Sequence, residues 1–246
     1  MKCNLKSLIG FTLTAIDGEI GKISEFYFDD KTWTIRYAVV ETGGWLFGRK
    51  VLISPEAILP ADWLKGTFPI ALSKEQVENS PEVDTALPVS RQEELKLYKY
   101  YPWTNYWDSG LYGGGLGTYN ISMESNLEDI QPAENQEKED LHLRSSDTVV
   151  GYAIQANDGE AGQIDDFILD DVSWKIELIV VDTGEWFAGK KVLLSPRKIK
   201  AIKWDSSEVE IYASMDEVEK SPVFIEPNSE SASSQREYYE QLVNLK

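Results

Sequence analysis

The chain has 246 residues, a formal net charge of −18, 42% hydrophobic residues and eight tryptophans. The apolar content is typical of a folded protein, and the length is sufficient for two domains. The negative charge disfavours binding to nucleic-acid phosphates and to anionic membrane surfaces, because both would repel the chain at long range.

The first predicted element is a strand near the N-terminus. Lys2 and Lys6 precede an apolar run over residues 8–13, which imitates a weak signal peptide. A similar run recurs internally over residues 149–154, where it must belong to the fold. We therefore expect a strand in both places. We also expect a cytoplasmic protein without membrane insertion, because no window reaches the ~20 apolar residues that span a bilayer.

Short strands and turns follow along the chain. The alternation of apolar and polar residues predicts strands over residues 8–16, 21–28, 33–40, 50–53 and 67–72. Asp29-Asp30 lies between two of these strands. Ser73 and Gln76 form a capping-box pattern that begins a short helix, and Pro81 ends it.

Most of these elements occur twice. Residues 10–81 return without a gap as residues 151–222, so that Asp17 recurs as Asp158 with an offset of 141 residues. About thirty of about seventy aligned positions are identical, which identifies a duplicated structural unit. A folded binding module is often duplicated in full, whereas a set of catalytic residues normally is not.

The repeated acidic pairs, Asp29-Asp30 and Asp170-Asp171, allow two interpretations. They could bind a cation or act as general acid and base, or they could be turn residues between two strands. Adjacent residues of a strand point to opposite faces, which hinders joint ligation. We therefore interpret both pairs as turn residues.

A second helical signal follows each copy. Ser90 with Glu93 and Ser234 with Glu237 match the capping-box pattern, and apolar residues follow at helical spacing. Between the copies, a run rich in Tyr and Trp precedes an acidic stretch over residues 124–140. We interpret that stretch as a flexible, solvated linker.

Together these elements predict a mainly β fold. Short strands at turn spacings of about ten residues are typical of a small barrel or sandwich. We expect two tandem small bent β-barrels, each followed by short peripheral helices. The expected parts are repeat 1 over 1–85, a helix with aromatic segment and acidic linker over 86–140, repeat 2 over 141–225, and a C-terminal helical tail over 226–246.

The pattern resembles the PRC-barrel family, which is named for the cytoplasmic domain of the photosynthetic reaction-centre H subunit. The resemblance implies a small, strongly bent β-barrel that contacts other proteins and does not catalyse a reaction. It rests on residues present in both copies, which include Gly10, Asp17-Gly18, Gly21, Asp29-Asp30, Trp33, Val39-Val40, Trp45 and Ser54-Pro55, with Asp158-Gly159, Gly162, Asp170-Asp171, Val180-Val181 and Ser195-Pro196 in the second copy.

One loop of each copy combines aromatic and cationic residues. Such residues dominate interface hot spots, so the loop could bind a carboxylate or a ring of a partner. The alternative, which we favour, is that Trp closes the end of the barrel while the cations stay in solvent. We retain the following as partner-binding candidates: Trp45, Phe47 and Arg49, and Trp186, Phe187 and Lys190.

The aromatic segment supplies the remaining candidates, Tyr101, Trp103, Tyr106 and Trp107. Water does not favour so many rings together, so they should be buried. They could stack on a carbohydrate or nucleobase, although the net charge disfavours nucleic acid. We expect them to fill the seam between the barrels or a dimer interface.

The remaining composition limits catalytic chemistry. Cys3 is the single cysteine and His142 the single histidine, so the chain has no intrachain disulfide and no ordinary structural zinc site. A Ser-His-Asp triad is disfavoured, because the histidine lies beside an acidic segment. We predict no enzymatic activity, no cofactor and no metal site.

We therefore expect a non-enzymatic protein-interaction or adaptor module. It would dock a protein partner through its loops and aromatic segments, or self-associate, with a homodimer as the expected state. The alternative is a stress-related protein that binds a small ligand or a cation in the seam between the barrels.

Overall fold

The structure is a computed structural model that describes residues 2–81, 89, 91–101, 103 and 143–225. Its strands before residue 82 are β1 (Lys2–Asn4), β2 (Thr12–Ala15), β3 (Gly18–Asp29), β4 (Thr34–Glu41), β5 (Lys50–Ile53) and β6 (Thr67–Pro69). Those after residue 142 are β7 (Leu143–Ser145), β8 (Ala153–Ala156), β9 (Gly159–Asp170), β10 (Lys175–Asp182), β11 (Lys191–Leu194), β12 (Ile199–Lys203) and β13 (Glu208–Ile211). The α-helices among the described residues are α1 (Lys74–Glu78), α2 (Arg91–Tyr100), α3 (Ser146–Val149) and α4 (Met215–Glu219).

The capping boxes begin helices where the sequence predicts them. Ser73 Oγ accepts a hydrogen bond from Gln76 N at 3.2 Å, and Gln76 Oε1 accepts one from Ser73 N at 2.9 Å. Ser214 and Glu217 make the equivalent pair of bonds at the start of α4. The peripheral helix predicted after the first repeat is α2, whereas the helix predicted for the C-terminal tail falls outside the described residues.

The predicted first strand is wrong in its first half. A 3₁₀ turn over Lys6–Leu8 replaces it, and β2 begins only at residue 12. Gly10 separates the two with a φ of +85°, a left-handed conformation that glycine adopts without a steric penalty. The second copy repeats this departure, because Gly151, with a φ of +91°, separates α3 from β8.

The two repeats share one strand order, to which the second repeat adds β12 beside β13. In the first, β2, β3, β4 and β5 are antiparallel neighbours, and β6 runs parallel to β2. In the second, β8, β9, β10 and β11 correspond to them, and β13 runs parallel to β8. Pairing of Lys175 with Thr34 joins β10 to β4, so the described strands form one continuous sheet.

The described strands do not close into the two separate barrels that the sequence predicts. The sheet is open, and its path ends at β12 and at β6. The physical reason lies in β3 and β9, which each use part of their hydrogen-bonding capacity on a strand that comes from the other repeat.

The repeats exchange their N-terminal strands. β1 begins the first repeat but pairs antiparallel with β9 of the second, and β7 begins the second repeat but pairs with β3 of the first. The offset of 141 residues that relates the repeats also relates Lys2–Asn4 to Leu143–Ser145, so the exchange is reciprocal. The two repeats are therefore related by an approximate two-fold axis.

A charged side chain of each exchanged strand pairs with an aspartate of the other repeat. Lys2 Nζ lies 2.5 Å from Asp170 Oδ2 at the end of β9. Arg144 Nε lies 3.4 Å from Asp30 Oδ2, just beyond the end of β3. Each of the four side chains is at most one-fifth exposed, so water screens these pairs less than it screens pairs on an open surface.

Two tryptophans occupy the centre of the seam between the repeats. Ile35 N donates a hydrogen bond to the carbonyl oxygen of Trp174, and Ile176 N donates one to that of Trp33, both at 2.7 Å. Each indole also lies against a phenylalanine of the other repeat. The ring centroids are 6.2 Å apart for Trp174 and Phe26, and 6.3 Å apart for Trp33 and Phe167.

None of the helices in the described ranges is both long and apolar enough to cross a membrane.

Leu143→Ala tests the exchanged strand. Leu143 is fully buried in β7, so its truncation should cost about 2–5 kcal/mol of unfolding free energy through lost contacts and a cavity. We expect a single urea transition that moves to lower urea concentration. Leu64→Ala is the control at a fully exposed residue and should change stability by less than about 0.5 kcal/mol. Two separate transitions, of which only one moves, would contradict the exchange.

Asp170→Asn tests the ion pair through its pH dependence. Burial acts to raise the pKa of Asp170, but hydrogen bonds from Lys2 and from two backbone N–H groups outweigh it and leave the pKa well below its usual value. A lowered pKa in the folded state stabilises the fold above the unfolded value of about 3.9, and this contribution is lost as the pH falls through the folded value.

The wild type should therefore exceed Asp170→Asn in unfolding free energy by a constant amount above about pH 5, and by progressively less below about pH 4. Urea titrations at several pH values measure this difference. A difference that stays the same down to about pH 2 would show that the carboxylate does not act through its charge.

Candidate functional site

Two open clefts lie where the repeats meet. The first has a volume of about 490 Å³ and is lined by residues 30–33 and 175–177 together with residues between 195 and 204. The second has a volume of about 440 Å³ and is lined by the corresponding residues of the other repeat. The 141-residue offset maps most of one lining onto the other, so the approximate two-fold axis relates the two clefts.

The floor and one wall of the first cleft are built from residues equivalent to those of the second. Trp33 and Ile176 are buried in the first, and Trp174 and Ile35 are buried in the second. The wall is a Ser-Pro turn in both, and its serine hydroxyl accepts a hydrogen bond from the backbone N–H two residues later. Serine as cap and proline at the first helical position explain why this turn forms twice.

The rims of the clefts differ. Four exposed cations line the first cleft, namely Lys31, Lys175, Arg197 and Lys200. The equivalent positions of the second cleft carry Val172, Thr34, Glu56 and Leu59. The lining of the first cleft thus holds four cations and two acids, and that of the second holds one cation and two acids.

The two acids of the first cleft have cationic neighbours outside its lining. Asp30 lies 3.4 Å from Arg144, and Glu177 lies 3.9 Å from Lys2. Burial raises the pKa of Asp30 although Arg144 opposes this. The Arg144 guanidinium also lies 3.9 Å from the centroid of the Trp204 ring, at the edge of the cleft.

The second cleft is less charged and partly aromatic. Arg36 is its cation and lies 3.6 Å from Asp29. Tyr98 of α2 also lines this cleft, and burial raises the pKa of its hydroxyl to about 12. The phenol therefore stays neutral at physiological pH and acts as an aromatic wall.

The repeated acidic pairs are turn residues, as the sequence predicts. Asp29 Oδ1 accepts hydrogen bonds from the backbone N–H groups of Lys31 and Thr32 at 2.9 Å each. Asp170 makes the two equivalent bonds at 2.9 and 3.0 Å. No group of three or more His, Cys, Asp or Glu side chains that could hold a metal ion occurs in the part of the chain that the structure describes.

The first candidate loop combines two half-buried side chains with one exposed ring. Trp45 is half-buried, its indole N–H donates to the Ile20 carbonyl, and Lys74 Nζ lies 4.3 Å from its ring centroid. Arg49 donates to the carbonyl oxygens of Glu78, the last residue of α1, and of Ser80 just beyond it. Phe47 is 98% exposed, so only this member of the loop presents its whole side chain to solvent.

The second candidate loop is similar in backbone but different in side chains. Phe187 is half-buried, and Lys190 Nζ lies 4.5 Å from its ring centroid. Ala188 occupies the position of Phe47 and shares its left-handed backbone, with a φ of 53°. The side chain of Trp186 lies outside what the structure describes.

The aromatic segment packs on the first repeat. Tyr101 is buried and stacks on Trp103, with centroids 4.1 Å apart and planes 18° apart. Trp103 in turn lies 6.4 Å from the ring of Tyr37 in β4. Tyr101 and Trp103 cover the outer face of the first repeat and line neither seam cleft, while a dimer interface, the other expectation for this segment, stays a prediction. Tyr106 and Trp107 lie outside the described residues.

Comparison with known proteins identifies part of this fold. Residues 4–68, from β1 to β6, match the PRC-barrel domain. The chain therefore contains a PRC-barrel domain, and this domain coincides with the first repeat. No curated protein matches the chain.

Arg49→Ala and Phe47→Ala test whether Arg49 stabilises the fold while Phe47 does not. Loss of the Arg49 hydrogen bonds leaves carbonyl groups beside α1 without this donor, so we expect about 1–3 kcal/mol less unfolding free energy. Phe47→Ala removes an exposed ring and should stay within about 0.5 kcal/mol of wild type. Urea denaturation measures both. Equal losses for the two variants would contradict these placements.

Proposed function

We propose that the chain is a non-enzymatic adaptor in which two PRC-barrel-like repeats, paired as one body, dock a protein partner at the seam between them. The observation that carries this proposal is the reciprocal exchange of β1 and β7. The exchange fixes the repeats relative to each other, and the two clefts exist only where both repeats contribute residues.

The tandem arrangement belongs to this proposal. The second repeat has the strand order of the matched domain, at a constant offset of 141 residues. This supports a second PRC-barrel-like unit over residues 141–225. Two rigidly paired copies suit an adaptor, since a partner that touches both repeats buries more surface than one repeat offers.

The chemistry of the clefts also favours binding by contact. Apart from Ser54 in the second cleft, their buried residues are apolar, while the charged lining residues are partly or fully exposed. An apolar centre surrounded by a polar rim is the usual anatomy of a protein interface. Phe47 offers a further exposed aromatic contact outside the clefts.

A small-ligand protein is the second candidate. The cleft volumes, about 490 and 440 Å³, fall within the range of small-molecule sites. A saturable rise of the melting temperature with one metabolite would favour this candidate. Self-association stays a separate prediction, and light scattering at tens of micromolar protein decides it.

Cleft-filling substitutions test the adaptor. Ala201 in the first cleft and Pro60 in the second are equivalent exposed lining residues. We expect Ala201→Trp or Pro60→Trp to weaken binding of the partner at least about tenfold. Leu64→Trp, at a fully exposed residue outside both clefts, should leave it unchanged. The partner is first isolated with the tagged full chain from extract of the source organism, then purified, and binding is measured between the two pure proteins.

Undiminished binding by both cleft variants would exclude the seam as the docking surface. Failure to isolate any protein that binds the pure chain directly, together with metabolite stabilisation, would replace the adaptor by the small-ligand candidate.

A further inference from the structure

The two clefts provide an internal comparison. Each has a seam tryptophan, an isoleucine in its floor and a Ser-Pro turn at equivalent positions. The four cations at the rim of the first cleft, however, have no cationic counterpart in the second. The second cleft forms with Val172, Thr34, Glu56 and Leu59 in their places. The four cations are therefore not required for the fold of the cleft, and another reason for their presence is needed.

The cations are also poorly neutralised. No carboxylate lies within ion-pair distance of Lys31, Lys175 or Arg197 among the described residues, and Lys200 alone is paired, at 3.2 Å from Glu210. In a chain with a net charge of −18, exposed cations have many acids available to them. Cations gathered at one rim repel each other, and an anionic occupant would relieve this repulsion.

The floor of the first cleft adds an apolar requirement. Trp33 and Ile176 are buried at its base, and Ile202 and Trp204 are half-buried at its edge. An occupant that uses both features has an apolar side chain in the centre and negative charges on both sides. A chain segment of alternating acidic and apolar residues has this pattern.

The depth of the charges distinguishes a peptide from a small anion. All the charged lining residues of the first cleft are at least partly exposed, and its two buried residues are apolar. A site built for a small anion holds its charge with polar groups at the base of an enclosed pocket. Here the charges stand at the rim of an open cleft, where they meet a segment that lies across it.

We infer that the first cleft binds an acidic peptide segment with a central apolar side chain, presented by a protein partner, and that the second cleft does not. This inference rests on the proposed adaptor function and specifies its partner. The carboxylates contact Lys31, Lys175, Arg197 and Lys200, and the apolar side chain contacts Trp33 and Trp204. Because the rim cations are exposed, binding weakens as the salt concentration rises.

The test uses the full chain and a labelled peptide of alternating Asp or Glu with central Leu and Phe, followed by fluorescence anisotropy at low salt. The first-cleft variant is K31V/K175T/R197A/K200L, which gives Lys31, Lys175 and Lys200 the residues of the second cleft and replaces Arg197 with neutral alanine. The control K22A/K65A/K96A/K220A removes the same number of charges at exposed positions outside the cleft. Circular dichroism and urea denaturation check the fold of every variant.

We expect the first-cleft variant to bind the peptide at least about tenfold more weakly than wild type, and the control to stay within about twofold. A peptide with Asn and Gln in place of its acids should bind as weakly to wild type as the acidic peptide binds to the variant. The reciprocal variant V172K/T34K/E56R/L59K places cations in the second cleft and should add a second binding site. This gain of binding tests the inference even where the first variant does not fold.

Three results would overturn the inference. The first is equal weakening by the control variant, which would assign binding to net charge. The second is displacement of the peptide by phosphate or citrate beyond the effect of NaCl at equal ionic strength, which would indicate a small-anion site. The third is equal affinity for a single-stranded oligonucleotide.

The outcome also separates this inference from the adaptor proposal. A partner protein that does not bind Pro60→Trp but binds K31V/K175T/R197A/K200L as it binds wild type would support the adaptor and reject the acidic segment. Peptide binding to the first cleft without any protein partner would keep the acidic segment as its ligand and reject the adaptor.

Discussion

The reciprocal backbone hydrogen bonds at Trp33 and Trp174 hold the two repeats together, and the rest of the structure depends on them. Both tryptophans have a φ of 55°, a left-handed conformation that costs an L-residue about 1–2 kcal/mol. Burial of both indoles and the bond that each carbonyl receives from the other repeat offset this cost. Both clefts lie beside this contact, because each has one of the tryptophans in its floor.

The duplication has kept the seam and changed the surfaces away from it. On the outer face of the second repeat, Phe224 covers an apolar cluster that includes Leu178. Leu178 corresponds to Tyr37 in the first repeat. The Tyr37 hydroxyl donates a hydrogen bond to the fully buried Glu94 of α2 at 3.2 Å. The rims of the clefts differ in the same way. One scaffold therefore carries two different surfaces, and a partner can distinguish the two ends of a nearly symmetric body.

Local features of this fold could be predicted from the sequence, and long-range ones could not. The capping boxes, β5 and the Asp turns each depend on a few neighbouring residues, so their residue types are sufficient. Gly21 and Gly162 recur for a reason that only the packing reveals, since a Cβ at either would lie 2.1 Å from a carbonyl oxygen of the next strand. The sequence does not reveal the exchange, because Lys2–Asn4 and Leu143–Ser145 share no identical residue, and strand pairing across 168 residues leaves no local pattern. The cationic cleft leaves no local pattern either, because its rim residues come from both repeats and differ from those at the equivalent positions.

The exchanged strands also affect how the protein can be made on the ribosome. The N-terminal strand has no partner until residue 170 has been synthesised, and β3 lacks one neighbour until residue 145 has emerged. Contacts between residues so distant in sequence form slowly, because a long loop must close first. The first repeat therefore cannot complete its sheet before the second repeat has begun to emerge. The nascent first half must stay unaggregated, with an unpaired strand edge, until residue 145 has left the exit tunnel.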